Sequence, residues 1–480
     1  MIYEYIMAKK FYITTSIPYT NASPHVGFAF EAIQSDVIAR YHRFLGQDVY
    51  FLTGTDEHGL KTLRAAEAAG KEVLEFANEV SEKFRDLAKV LNISNTDFIR
   101  TTDEKRHLPA VYALWEKFKE KGDIYKKKYK GLYCEGCEAF KTEKEVTDGK
   151  CIFHPTLEIK IIEEENYFFK LSKYLPEIKK IIEQDSIKII PESKKHEVLG
   201  MIEQGLEDVS FSRSREKYWG WPVPGDDDQV FYVWQDALPN YISAIGYGSD
   251  DKKFNMYWPA DVHCIGKDIV KFHALYWPAM LLSAGLDLPK AIFVHGFINV
   301  DGQKMSKSLG NVVDPFELVK KYGVDAVRYF LLREISPTED GDFSYEKFQA
   351  RYNADLAGGV GNLLARTVTL AAKPNFLEKN PTSKIKKEID ATKKEYEKHL
   401  DGFKFNEALK SIWELISFCD KYINEQKPWE AKPSDSQVIS DILFGLSGLA
   451  KMLEPFLPET VEKMKKVLAE RKSEILFPRI

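Results

Sequence analysis

Two lysines stand three residues apart in the segment Lys304-Met305-Ser306-Lys307-Ser308, among small hydroxyl residues. Gly302 and Gly310 lie on either side of this segment. Because glycine reaches backbone conformations closed to other residues, the segment predicts a mobile loop that carries two positive charges. Such charges suit a transferring or leaving phosphate, since catalysis there depends mostly on positioning and electrostatic stabilisation. Taken alone, the spacing is more often that of a solvated basic turn.

A second candidate phosphate contact lies near the N-terminus, in Ser23-Pro24-His25-Val26-Gly27-Phe28. His25 and Gly27 fall between a predicted strand and the first long predicted helix. The unpaired N–H groups and the dipole of a helix N-terminus attract phosphate oxygens, and a histidine beside them can assist. An ordinary turn is the alternative for this motif on its own.

Three of the five cysteines form a cluster with one histidine. Cys134 and Cys137 are followed by Cys151 and His154, which gives the pattern C-x2-C…C-x2-H. Three thiolates and one imidazole suit a closed tetrahedral zinc site with no open position, so the predicted zinc ion is structural. The clustering favours a metal site in an intracellular protein over a framework of disulfides.

The elements that must position these residues alternate between strand and helix. Strands are predicted at 11–15 and 48–53, each followed by a helix, at about 27–45 and about 60–91. This order and spacing indicate βαβ units and a parallel sheet. Ligands of such sheets bind beyond the carboxyl ends of the strands, where the loops after the two strands lie.

The pattern is interrupted after Trp115 by a charge-dense stretch that includes the cysteines, and we interpret this stretch as an insertion. Predicted strands return at 230–234, 262–266 and 291–295, and only amphipathic helices follow from about 352. The predicted fold is α/β, with a Rossmann-like parallel-sheet catalytic domain, a zinc-binding insertion and an α-helical bundle. The expected boundaries are 1–118 and 226–296 for the two halves of the catalytic domain, 119–225 for the insertion, 297–350 for a linking region with the lysine loop, and 351–480 for the helical domain.

Composition excludes several classes of protein. The 480 residues carry a net charge of -5, so any RNA site must be a local basic patch. No apolar run approaches the roughly 20 residues that span a bilayer, and the first residues lack the pattern of a signal peptide. A cytoplasmic location is therefore expected.

The pentapeptide resembles the signature loop of class I aminoacyl-tRNA synthetases, and the segment with His25 and Gly27 resembles their His-Ile-Gly-His element. Phe28 stands where that element has its second histidine, so one imidazole donor is lost. Further segments narrow the resemblance to the methionyl-tRNA synthetase family, over essentially the whole chain and in the same order. They are residues 51–59, 232–237, 263–269 and 424–429.

This resemblance implies a ligase that activates L-methionine with ATP and Mg²⁺, releases pyrophosphate, and transfers methionine to the 3′ end of tRNA(Met). It implies one structural zinc ion, a monomer, and a helical domain that binds the anticodon. The implied catalytic residues are Lys304, Lys307 and His25. ATP is expected to bind at His25, Gly27, Gly266, Asp268, Lys304 and Lys307.

The resemblance also assigns the remaining sites. Asp56 is expected to bind the ammonium group of methionine, and Arg213 to keep that carboxylate ionised. The expected methionine-binding residues are Ile17, Tyr19, Asp56, Arg213, Trp234, Ala237, Leu238, Tyr241, Ile269 and His273. The expected anticodon-binding residues are Asn362, Arg366, Pro428 and Trp429, and the metal ligands Cys134, Cys137, Cys151 and His154.

Two alternatives remain at this point. A class I synthetase for leucine, isoleucine or valine would carry a large editing domain, for which the roughly hundred residues after Trp115 are too few beside a zinc site. A catalytically weak paralogue that binds tRNA is favoured by Phe28. The lysine loop, Asp56 and Arg213 argue against that paralogue.

Overall fold

The computed structural model describes residues 9–135, 139–141, 143–152, 154–305, 310–430 and 435–480. The chain forms two units. The first comprises Met1–Pro24, Leu45–Ala88 and Asn95–Val294, and the second comprises His25–Phe44, Lys89–Ser94 and His295–Ile480. Among the described residues, no helix is both long enough and apolar enough to cross a membrane.

The first unit is built on a parallel sheet, as the sequence predicts. Lys10–Thr14 lies in its interior, paired in parallel with Val262–Gly266 on one side and Asp48–Thr55 on the other. Its apolar side chains are almost completely buried on both faces of the sheet. This burial explains why the sequence of the strand is a continuous apolar run and does not alternate between apolar and polar residues. In order across the described part of the sheet, the strands are Lys188–Ile190, Ala291–His295, Val262–Gly266, Lys10–Thr14, Asp48–Thr55 and Asp97–Arg100.

One predicted helix is wrong as a single element. The region 60–91 forms two helices, Leu60–Ala68 and Val73–Val90. Gly70 separates them with a φ of 65°, a left-handed conformation that glycine adopts at little cost. The apolar periodicity continues across the break, so it could not reveal the turn.

The predicted strand at 230–234 is also only partly correct. The observed strand Asp226–Phe231 pairs antiparallel with Ser212–Ser214 and Pro222–Val223, outside the parallel sheet. The residues that follow it form the helix Val233–Ala237. A short apolar run does not distinguish a buried strand from a buried helix, and here the run contains the end of one and the start of the other.

The segment 119–225 contains a long antiparallel pair, Ile124–Cys134 with Lys160–Phe169. Its lysine-rich run faces an acidic run, with Lys128 opposite Glu165 and Lys130 opposite Glu163. Opposite charges on facing strands stabilise the pair and reduce the local positive field. The same segment also supplies the edge strand Lys188–Ile190 to the parallel sheet.

The first unit contains these further elements. Its other helices, with short 3₁₀ and π segments, are Leu108–Glu120, Glu143–Glu145, Leu171–Glu183, Glu192–Glu203, Asn240–Ser243, Asp251–Tyr257, Lys267–Ile269, Phe272–Tyr276 and Trp277–Ala284. Its other strands are Ala139–Lys141, Val146–Thr147, Lys150–Cys151, His154–Glu158 and Val209–Ser210.

The second unit is mostly helical, as predicted for the C-terminal part of the chain. Its helical segments are Val26–Phe44, Pro315–Tyr322, Val324–Arg333, Tyr345–Arg351, Tyr352–Gly361, Asn362–Ala371, Ser383–Asp401, Phe405–Gln426, Pro428–Glu430, Asp435–Leu453 and Pro458–Glu470. Its strands are Ile298–Val300, Gln303–Lys304 and Gly341–Phe343.

A buried ion pair anchors the helix Val26–Phe44 within the second unit. Nη2 of Arg328 lies 2.7 Å from Oδ2 of Asp36, and both side chains are fully buried. Ser94 donates to the other carboxylate oxygen from its backbone N–H at 2.7 Å and from its hydroxyl at 2.6 Å. Burial would raise the pKa of Asp36, but Arg328 and these donors lower it, so the carboxylate is ionised.

Candidate active site

A cavity in the first unit collects most of the residues that the resemblance assigns to methionine. It lies at the carboxyl-end side of the strand Asp48–Thr55, where ligands of parallel sheets bind. Eight of the expected residues line it, together with two that were not expected. The lining is Ser16, Ile17, Asp56, Trp234, Ala237, Leu238, Asn240, Tyr241, Ile269 and His273.

The backbone holds Asp56 in place beside the cavity. Its N–H donates to the carbonyl of Pro18 at 2.9 Å, and its own carbonyl accepts from the N–H of Thr20 at 3.0 Å. The next residue, Glu57, accepts two hydrogen bonds from the guanidinium of Arg100, at 2.7 and 2.8 Å. These bonds fix a buried carboxylate at a strand end, where it suits an ammonium group.

Aromatic rings form one wall of the cavity. Trp234 stacks on Phe272 with ring centroids 3.7 Å apart and an angle of 5° between the planes. The ring of His273 meets Trp234 edge-on at 6.1 Å. A thioether gains about 0.3–1.5 kcal/mol from contact with an aromatic ring, so this wall suits an unbranched sulfur-containing side chain.

Hydrogen bonds fix the orientation of the His273 ring. Its Nδ1 lies 3.0 Å from the carbonyl of Ile269, which can only accept, so Nδ1 carries the proton. Nε2 lies 2.7 Å from the hydroxyl oxygen of Tyr241. The ring of His263 lies 4.2 Å from the ring of Tyr241, and burial together with His273 holds the pKa of His263 well below its ordinary value. Tyr241 and His273 thus add a hydrogen-bonded polar pair to the lining of the cavity.

Two expected methionine-binding residues are not among those that line the cavity, although Tyr19 forms a parallel β-bridge with Asp56. Tyr19 is not part of the lining, and Nζ of Lys61 lies 4.5 Å from the centroid of its ring. Arg213 lines a second cavity together with Gly59 and Trp219. Its guanidinium lies 4.2 Å from the ring of Tyr232, and Nη1 donates to the hydroxyl of Ser210 at 2.8 Å. The expected effect of Arg213 on Asp56 stays a prediction.

Sequence reasoning missed Ser16 and Asn240, which also line the cavity. Asn240 is buried and its Nδ2 donates to the carbonyl of Ala237 at 2.7 Å. Both residues adjoin expected ones in the sequence, Ser16 beside Ile17 and Asn240 beside Tyr241. Small polar residues carry no distinctive signal, so only their adjacency could have suggested them.

In the second unit, His25 begins the helix Val26–Phe44 and is exposed. Its carbonyl accepts from the N–H groups of Phe28 and Ala29, and its Nδ1 accepts from the N–H of Gly27 at 3.1 Å. A neutral ring therefore carries its proton on Nε2 and can donate from that atom. A Cβ on Gly27 would lie 2.8 Å from Cε1 of His25, so glycine is required for this arrangement.

Lys304 ends a hairpin formed by Ile298–Val300 and Gln303–Lys304. Asp301 and Gly302 make the turn with φ values of 50° and 75°, the conformation that an Asp-Gly pair favours in two-residue hairpins. The side chain of Lys304 is exposed, with Nζ 5.9 Å from the ring of Phe297. Lys307 lies outside the described residues.

Gly266 and Asp268 follow a buried strand of the central sheet in the first unit. Gly266 ends Val262–Gly266, and Asp268 lies in the 3₁₀ turn Lys267–Ile269, where its side chain is exposed. The carboxyl end of a parallel strand is the place where nucleotides bind in such sheets. Their assignment to ATP stays a prediction.

The expected anticodon residues form a cluster on the surface of the second unit. Trp429 is 43% exposed, although a tryptophan in a helical bundle is more often part of the core. The guanidinium carbon of Arg366 lies 4.7 Å from the centroid of its indole ring, and Nη2 of Arg366 donates to Asn424 at 2.7 Å. Pro428 is buried beside the tryptophan, and Asn362 is exposed one helical turn before Arg366.

The structure describes only part of the expected metal site. Cys134 ends the strand Ile124–Cys134 and Cys151 ends Lys150–Cys151, and both side chains are buried. Cys137 and the side chain of His154 lie outside the described residues. Within the residues that the structure does describe, no group of three or more His, Cys, Asp or Glu could hold a metal ion.

Comparison with known proteins gives two family matches. The family described as tRNA synthetases class I (M) matches residues 11–160 and 154–368. The anticodon-binding domain of tRNA ligase matches residues 383–478. Together these two families cover most of the chain.

Individual relatives agree with these matches. The methionine–tRNA ligase of Thermotoga maritima is 47% identical over 471 residues, which are 95% of this chain and 74% of that protein. The Brucella suis methionine–tRNA ligase is 42% identical, over 96% of this chain and 92% of its own. Mycobacterium tuberculosis methionyl-tRNA synthetase in complex with methionyl-adenylate superposes with a TM-score of 0.90 at 40% identity, covering 96% and 94% of the two chains. The chain belongs to the methionyl-tRNA synthetases of class I.

Proposed function

We propose that this chain is a methionine–tRNA ligase, which joins L-methionine to ATP as methionyl-adenylate and then transfers it to tRNA(Met). The cavity in the first unit carries this conclusion. It combines a fixed buried carboxylate, Asp56, with an aromatic wall at Trp234 and a hydrogen-bonded polar pair, Tyr241 and His273. This lining matches the ammonium group and the thioether of methionine.

In the first step, the carboxylate of methionine attacks the α-phosphate of ATP and pyrophosphate leaves. Asp56 holds the ammonium group, and the exposed His25 and Lys304 supply donors to phosphate oxygens. We assign the same role to Lys307, on the resemblance of its loop to the family. Gly266 and Asp268 are assigned to the nucleotide. Mg²⁺ enters with ATP and neutralises phosphate charge.

In the second step, a ribose hydroxyl at the 3′ end of tRNA attacks the carbonyl carbon of the adenylate, the ester bond to tRNA forms, and AMP leaves. This step needs mainly alignment, which contacts with the anticodon help to provide. We assign those contacts to Trp429, with Arg366 above its ring, and to Asn362 and Pro428. An exposed indole suits a base splayed out of a single-stranded loop, and a guanidinium can donate to its edge.

We also propose one structural zinc ion in the segment 119–225. Cys134 and Cys151, two of the expected ligands, are buried at strand ends, and thiolates are the ligands that structural zinc prefers. Cys137 and His154 would complete the set of four. Metal analysis of the purified chain should find one zinc ion per chain and none after Cys134→Ser. Equal zinc in both proteins would contradict the assignment.

The function is tested by charging tRNA with methionine, leucine, isoleucine or valine in separate reactions. Only methionine should become attached to tRNA(Met), and Asp56→Asn should lose the activity because the ammonium group then has no negative partner. Binding of tRNA without any charging would instead favour the catalytically weak paralogue.

A further inference from the structure

The carboxylate of Asp236 lies in the core of the first unit between two histidines. Nδ1 of His58 is 2.7 Å from Oδ2, and Nε2 of His107 is 3.2 Å from Oδ1 and 2.9 Å from the backbone carbonyl of Asp236. All three side chains are buried. Carboxylate and carbonyl oxygens accept but do not donate, so both histidines donate to this residue while it is ionised.

The ionised state of Asp236 follows from its surroundings. Burial would raise its pKa, but the charge of His58 and hydrogen bonds from both histidines lower the pKa below its ordinary value. The imidazole of His58 is enclosed further by edge-on contacts with Trp219, at 4.7 Å, and Trp221, at 5.3 Å. His58 is therefore engaged inside the fold, in contact with Asp236.

His58 and Asp236 each belong to a segment that lines the methionine cavity. His58 follows Asp56 by two residues, at the end of a central strand. Asp236 lies in the short helix Val233–Ala237, two residues after Trp234. The carboxylate thus joins the segment that holds the ammonium partner to the segment that forms the aromatic wall.

His107 extends the connection to a third part of the cavity. Its Nδ1 lies 2.9 Å from the hydroxyl of Ser243, in the helix Asn240–Ser243. That helix also carries Tyr241, which hydrogen bonds with His273 in the lining. His58, His107 and Asp236, which are distant in sequence, therefore meet in one cluster, and His107 connects this cluster to the helix Asn240–Ser243.

We propose that Asp236 is a positioning residue for methionine, and that its bonds to His58 and His107 set the distance between Asp56 and the wall at Trp234. Small displacements of binding groups weaken recognition strongly, and such groups need locked neighbours to hold them. The inference rests on the proposed function, because it assumes that methionine binds in this cavity.

The test uses Asp236→Asn in the full chain, with Asp123→Asn as the matched control. Asp123 is also a buried carboxylate of the first unit, and it accepts from Lys173, Tyr174 and Ser283. It does not line the cavity. An amide offers one acceptor oxygen, so Asp236→Asn leaves one histidine facing an N–H group.

We expect Asp236→Asn to raise the KM for methionine in ATP–pyrophosphate exchange about tenfold, which corresponds to the loss of one charged hydrogen bond. The KM for ATP should change by less than about twofold. The Kd for methionine, measured from the change in tryptophan fluorescence of the chain on binding, should rise in parallel. Asp123→Asn should lower the melting temperature without changing either constant. An unchanged KM for methionine in folded Asp236→Asn, or an equal rise in the control, would overturn the inference.

A second pair of variants keeps the test decisive if Asp236→Asn does not fold. His58→Asn retains an N–H donor close to the position of Nδ1, whereas His58→Ala removes it. The first should keep a KM for methionine near that of the unmodified chain, and the second should raise it. Equal constants for both would overturn the inference. Failure of the unmodified chain to bind methionine would instead overturn the proposed function and this inference with it.

Discussion

Removal of the indole at Trp429 should separate tRNA charging from methionine activation. The ring is 43% exposed and carries the guanidinium of Arg366 on one side, 4.7 Å from its centroid. Stacking of a base on an aromatic ring contributes about 1–3 kcal/mol, which corresponds to a factor of about 5 to 150 in affinity. We therefore expect Trp429→Ala to lower kcat/KM for tRNA by a factor within this range.

The assay compares two rates for the same variant. Charging is measured with tRNA varied below its KM, and ATP–pyrophosphate exchange is measured without tRNA. Exchange should be unchanged, because we assign the cluster at Trp429 to the nucleic acid alone. Phe444→Ala is a matched control, since this ring is 41% exposed in the same helical region. Charging at the unmodified rate by Trp429→Ala, or an equal loss in Phe444→Ala, would refute the assignment.

Three further outcomes follow from the second unit. Asp36→Asn leaves Arg328 buried without a counter-charge and should lower the free energy of unfolding, measured by calorimetry, by about 3–5 kcal/mol. The pKa of Asp36 in the folded protein lies below its ordinary value of 3.8. The ion pair therefore stabilises the fold fully above the pKa of the unfolded chain, and this stabilisation is lost as the pH falls through the pKa of the folded protein. Burial raises the pKa of Cys419 to about 12, so iodoacetamide at pH 8 should label this cysteine only after unfolding. Rapid labelling of Cys419 itself in the native protein would contradict its burial. A Cβ at Gly296 would lie 2.1 Å from the backbone oxygen of Glu339. Gly296→Ala should therefore lower the free energy of unfolding, measured by the same calorimetry, by about 1–3 kcal/mol. An unchanged melting temperature would show that the backbone can move to accept the methyl group.

The sequence predicted four of the six described strands of the central sheet, because those buried strands are continuous apolar runs bounded by loops. It did not predict the short strands Asp97–Arg100 and Lys188–Ile190 at the two edges. Read through the family resemblance, short motifs such as those with Asp56 and Trp234 named eight of the ten residues that line the cavity. That these residues bind methionine stays a prediction. Each motif is local, and the folding of the sheet brings the motifs together. The expected roles of their residues came from the resemblance to the synthetase family.

Other features could not be predicted from the sequence, because they depend on contacts between distant segments or on a turn inside a regular pattern. His58 and Asp236 are 178 residues apart, and no local pattern indicates that their side chains meet. The break at Gly70 lies inside a periodic pattern that a helix tolerates. The lysine-rich run at 126–130 is basic, but the strand paired with it is acidic. The positive field at this surface is therefore reduced by a pairing that the lysine-rich run alone does not indicate.

The central question is whether this cavity selects methionine for activation. The decisive measurement is amino-acid-dependent ATP–pyrophosphate exchange, with methionine, leucine, isoleucine and valine tested separately on the folded chain. Strong exchange with methionine alone is the predicted result, and it would also show that Phe28 in place of the second signature histidine is tolerated. Absence of exchange with all four amino acids in a folded protein would contradict the account.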